Sequence, residues 1–108
     1  MHIGTLTAGE QFEVELRVSS TSTAPVAYAI FWTAPASASV PDPIVGVAVP
    51  GASVRETGTV PVGAQRLNVD LDLPDEGGGA SMRVTAGAGL NFSRDTITAD
   101  ARWTAVVA

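Results

Sequence analysis

Apolar and polar residues alternate strictly over most of the chain. Phe12, Val14, Leu16 and Val18 share one side of a two-residue period while Gln11, Glu13, Glu15 and Arg17 share the other. Period two is the signature of a β-strand with one face in a core. The pattern predicts strands over Ile3–Thr7 and Gln11–Val18, then a polar turn over Ser19–Pro25. Val26–Thr33 is a third strand, with Tyr28, Ile30 and Trp32 on one face and Ala27, Ala29, Phe31 and Thr33 on the other. Both faces are apolar enough to be covered, so this strand is expected to be central.

Prolines interrupt the ladder next, because each lacks a backbone donor and restricts the residue before it. Residues 34–43, with Pro35, Pro41 and Pro43, therefore read as a loop. Ile44–Val49 is a short apolar strand closed by Pro50-Gly51, and Ser53–Val60 follows; both are expected near sheet edges. Arg66–Leu73 alternates cleanly with Leu67, Val69, Leu71 and Leu73 inward, before Pro74 and the Gly77-Gly78-Gly79 connection break it. Ser81–Ala86 and Leu90 with Phe92 continue the pattern across Gly87-Ala88-Gly89, where a bulge or bend is expected. The alternation of Thr96–Val107 predicts one long final strand.

No window has helical spacing with caps, and turn residues recur every few positions. The expected fold is all-β: a single antiparallel β-sandwich of about seven to nine strands, with a jelly roll as the competing architecture. At 108 residues the chain is expected to be one domain, residues 1–108.

The segment Ala8-Gly9-Glu10-Gln11 through Ser19-Ser20-Thr21-Ser22 resembles the opening of immunoglobulin-like modules of the CARDB and fibronectin-III type. There a small-Gly-polar turn leads into an alternating strand and a Ser/Thr-rich turn. The resemblance covers about the first third of the chain and implies a sandwich. Such modules are typically repeated spacers or adhesion units, whereas this chain carries a single copy.

Composition narrows the function. Formal net charge is −5, and the six basic residues are all arginine and scattered. The field of an acidic protein repels phosphate backbones and anionic lipid, so neither nucleic acid nor a membrane is an expected partner. Met1–Glu10 has neither a basic n-region nor an apolar h-region, so no signal peptide is expected. No apolar run reaches the roughly 20 residues of a membrane span, and a soluble protein is expected.

The chemical inventory is thin: no cysteine, no lysine and one histidine, His2. Serines and threonines are plentiful but, with no cysteine or lysine and only the terminal His2, have nothing to activate them, and no cofactor is expected. His2 lacks an orienting partner in the sequence. Neither glycine cluster is followed by Lys-Ser or Lys-Thr, so neither is a phosphate loop. Asp70, Asp72, Asp75 and Glu76 form the densest polar cluster and are the candidate calcium ligands, although their spacing is not that of a calcium loop. The same carboxylates acting as a glycosidase pair would need a cleft and sugar-stacking rings. Asn91-Phe92-Ser93 matches the N-glycosylation acceptor pattern, which matters only in a eukaryotic secretory setting. Tyr28, Trp32 and Trp103 fall on inward positions and are expected core anchors, as are Phe12, Phe31 and Phe92.

The expectation is a non-enzymatic structural or interaction subunit, binding protein partners or copies of itself as a homo-oligomer or within a larger assembly. Capsid decoration or tail accessory proteins of a phage virion match this profile. The alternative is a carbohydrate- or cell-surface-binding module using loops 34–43 and 74–79.

Overall fold

The computed structural model describes residues 1–74, 79–87 and 89–108. It contains nine strands: β1 (His2–Leu6), β2 (Gln11–Val18), β3 (Val26–Thr33), β4 (Ile44–Ala48), β5 (Ser53–Thr59), β6 (Arg66–Asp72), β7 (Ala80–Ala86), β8 (Leu90–Ile97) and β9 (Ala101–Val107). They form a five-stranded sheet, ordered β1-β9-β6-β3-β4, and a four-stranded sheet, ordered β5-β2-β7-β8. The all-β sandwich expected from the alternation is therefore the fold observed. One pairing departs from the antiparallel rule, since β1 runs parallel to β9.

The inward residues of both sheets form one core. Leu67, Val69 and Leu71 of β6 and Val26 and Ile30 of β3 meet Val14 and Leu16 of β2 and Met82 and Val84 of β7. Each such side chain contributes roughly 1.5–3 kcal/mol on full burial. Two aromatic contacts tie the sheets together. Phe12 meets Trp32 edge to face, with centroids 5.3 Å apart, and Phe92 leans on Trp103 at 6.3 Å. Such pairs add about 0.5–1.5 kcal/mol beyond area. Phe12 and Trp103 are buried; Tyr28, Trp32 and Phe92 are partly buried against the core. Phe31 differs, being half-buried on the outer face of β3.

Strand β3 is interior, paired with β4 and β6, while β6 occupies the middle of its sheet, and β4 and β5 are both edge strands as expected. The long final strand is corrected. Alternation continues from Thr96 to Val107, but the chain leaves the four-stranded sheet after Ile97 and joins the other at Ala101. Residues 98–100 make the crossing, and Asp100 Oδ1 accepts the backbone N–H of Leu73 at 2.8 Å. That backbone donor is partly buried, so a carboxylate partner there is worth more than one further ladder bond.

The expected bend at residues 87–89 is the turn joining β7 to β8, where Ala86 faces Leu90; Ala88 lies outside the described residues. The irregularity in this pair falls instead between Ala80 and Met82. Among the described residues no helix is long and apolar enough to cross a membrane.

Candidate functional site

The margin formed by β4 begins with its boundaries. Pro41 and Pro43 hold the preceding loop out of the sheet. Val49-Pro50-Gly51-Ala52 ends the strand in a turn, with Ala52 N–H donating to Val49 O at 3.0 Å and Gly51 at φ +83°. Proline followed by a glycine of positive φ is what a type II turn requires. This turn carries the chain from one sheet to the other, so β4 and β5 occupy the same side of the sandwich.

Gly46 stands opposite Tyr28 in the β3–β4 ladder. The Tyr28 ring lies directly over it, in space that any Cβ at position 46 would occupy. From there the hydroxyl donates to Glu56 Oε1 of β5 at 3.3 Å, so β3, packed on Gly46 of edge strand β4, is tied to the edge strand of the other sheet. Burial, and then the Glu56 charge, push the Tyr28 phenol above its ordinary value of 10.0. The space beneath, bounded by Ile30, Val54 and Met82, holds only about 10 Å³. That is the lower limit for one water, so the interior offers no ligand cavity there.

The outer face is different. Val45, Val47 and Val49 are 74%, 62% and 55% exposed. Pairing sets Val47 beside Ala27 and Ala27 beside Asp72; the next row is Val45, Ala29, Asp70 and Arg102. Phe31 and Asn68 form the row after that, with the Asn68 amide donating to Phe31 O and Thr33 Oγ1. A valine ridge, a floor of half-buried alanines and an acidic ridge thus lie side by side. Sheets of this kind normally protect an apolar edge with charge or proline, and β4 itself contains neither.

The other outer face is charged and internally satisfied. Arg55 Nε lies 2.9 Å from Glu13 and its Nη2 3.1 Å from Glu15, which also holds Arg17 Nε at 3.1 Å. The Arg55 hydrogen bond, opposed by desolvation, keeps the Glu15 carboxyl below its ordinary 4.5. Beside it Glu15, Arg17, Arg83 and Asp95 line a shallow depression of about 180 Å³ in which charges of both signs face one another.

Of the calcium candidates, Asp70 and Asp72 share the outer face of β6, and Asp75 and Glu76 lie outside the described residues. Asp70 is 3.9 Å from Arg102 Nε. Among the described residues no three His, Asp or Glu side chains are grouped to hold a metal. His2 is exposed on edge strand β1, and Asn91 and Ser93 are exposed on β8. Tyr28 and Trp32 are turned toward the core and Trp103 is buried in it.

The acidic pair and the apolar strand were both visible in the sequence, but not as neighbours. The available signal was that Ile44–Val49 has no polar face at all, unlike β2 and β6. Comparison with protein-family models, curated proteins and solved structures finds no match for the chain.

Proposed function

We propose that this protein is a non-enzymatic structural or interaction subunit that joins a larger assembly through the outer face of its five-stranded sheet at the β4 margin. One observation carries this reading: Val45 and Val47 in alternating register on an edge strand without charge, and Val49 just beyond it, are each more than half exposed. Exposed apolar surface of this continuity marks interaction sites on otherwise polar proteins. The reactive inventory of the sequence points the same way, with no cysteine, no lysine and a single histidine.

The setting we propose is a virus particle, where the protein would serve as a capsid decoration or tail accessory subunit. That placement rests on likeness of form, namely a small, acidic, cysteine-free sandwich. The carbohydrate-binding alternative has less support, because the rings that would stack on a sugar face the core.

The test is native mass in solution by size-exclusion chromatography with light scattering, with calcium and with chelator. A discrete multimer that Val45→Lys reduces to monomer supports the proposal. A monomer at high concentration that also captures no partner through this margin, with or without that substitution, removes it.

A further inference from the structure

Building on that reading, we infer that the groove on the outer face of β4, β3 and β6 receives an amphipathic α-helix with a basic flank, supplied by a partner protein. Adjacent strands lie about 4.8 Å apart, so the ridge of Val45 and Val47 and the ridge of Asp70 and Asp72 are separated by about 10 Å. A helix about 10 Å across with its side chains, laid over the row between, therefore puts one flank on each ridge. The row between them is Ala27 and Ala29, small enough to let the helix lie close to the sheet.

The spacing along the groove matches as well. Residues two apart on a strand repeat every 6.8 Å or so, and residues four apart on a helix rise by about 6 Å. Two basic side chains at i and i+4 therefore reach Asp70 and Asp72 together, while an apolar stripe covers the alanines and meets the valines.

Charge chooses the sign of that flank. Asp72 is exposed and has no ion-pair partner among the described residues. Among the described residues Asp70 is held only by Arg102, at 3.9 Å, and the Arg102 side chain is 82% exposed. Such a long, solvated pair is worth little and yields to a better-placed cation. A second copy of this chain is a poorer occupant. Its own apolar margin carries the same acidic ridge, and like charges brought face to face oppose association.

The test uses the intact protein and two designed peptides of roughly 18 residues, long enough to hold a helix. One has a leucine stripe flanked by lysines four residues apart; its twin has glutamates at those positions. Binding is read by fluorescence anisotropy, with thermal unfolding as the control for folding. The lysine peptide should bind at least about tenfold more tightly than its twin. Asp70→Lys with Asp72→Lys should reverse that preference, Val47→Glu should weaken the lysine peptide, and Arg102→Ala should tighten it.

Equal binding of the two peptides, or indifference to the Asp substitutions, overturns the inference. So does a multimer that Val47→Glu dissolves and neither peptide displaces, which would make a second copy the occupant and leave the assembly reading intact. A monomer that binds neither peptide removes both.

Discussion

β4 and β5 are consecutive strands joined by a four-residue turn, and each is the edge of its sheet on the same side of the molecule. Their outward faces are opposites. β5 presents Ser53, Arg55, Thr57 and Thr59, with Arg55 gripping Glu13 and Glu15 and Thr59 receiving a hydrogen bond from Gln11 at 2.8 Å. β4 presents valines and nothing else. On β5 the polar groups use their hydrogen-bonding capacity within their own sheet, and charge discourages an added strand. Among the described residues no β4 side chain has such a partner, and Val45, Val47 and the following Val49 are mostly exposed to water. Two margins with the same topology thus leave different surfaces to solvent: one polar and paired within its own sheet, the other apolar, the surface for which association is proposed.

The sharpest way to break this contrast is to damage β4 from within. Gly46→Val forces a branched side chain into the Tyr28 ring, and overpacking of that kind costs about 1–3 kcal/mol. Denaturant unfolding should show that loss. The equivalent exposed change on β5, Thr57→Val, should leave stability within about 0.5 kcal/mol of the parent.

Next comes the clasp between the margins. Tyr28→Phe removes the hydroxyl that bonds Glu56 and should cost about 0.5–1.5 kcal/mol near neutral pH. The raised phenol value also sets a pH dependence. Its contribution is complete below the ordinary 10.0 and is lost as pH rises through the higher folded value. Stability of the parent protein should therefore fall on the alkaline side of 10, and Tyr28→Phe should flatten that fall.

Substitution of the open margin should barely touch stability. Val45→Lys replaces a residue 74% exposed and should shift unfolding by no more than about 0.5 kcal/mol, while binding through this margin weakens. A large loss of stability with no change in binding would reverse the roles assigned to the two margins.

The smallest effect belongs to the closed margin. Arg55 and Glu15 are solvated, so their pairing adds little. Glu15 is held below 4.5, so its contribution is present above that pH and is lost as pH falls through the lowered value. Arg55→Ala should reduce this acid-side dependence, leaving the part due to Arg17 and Arg83, measured as the thermal midpoint between neutral pH and the acid limb.

Fold class was legible because alternation is a local property. Gln11–Val18 and Arg66–Leu73 each display their inward residues without reference to any partner strand. Thr96–Val107 misled for the same reason. Its period is unbroken, but the chain changes sheets at residues 98–100, and only the presence of Leu73 shows why Asp100 turns out of the ladder. The candidate site was half legible. Ile44–Val49 announced an apolar edge, yet its adjacency to Ala27, Ala29 and the Asp70–Asp72 ridge follows from strand order, which no period encodes. The Tyr28–Glu56 bond joins two sheets and depends on how they stack, which lies further still from sequence pattern.

The parallel pairing of β1 with β9 also governs how the protein is made. His2 lies against Thr104 and Leu6 against Val107, while β9 separates β1 from β6. Contacts between such distant segments form late, because nearly the whole chain must be ordered before they are rewarded. On the ribosome, until residues 101–107 emerge, β1 has no strand to lie against and β6 has one bare side. For that interval the middle of the larger sheet is an edge, flanked by Leu67, Val69 and Leu71, and open to intermolecular pairing. Premature termination within β9 should therefore send the chain to inclusion bodies, because β9 is the strand that joins β1 to the rest of its sheet.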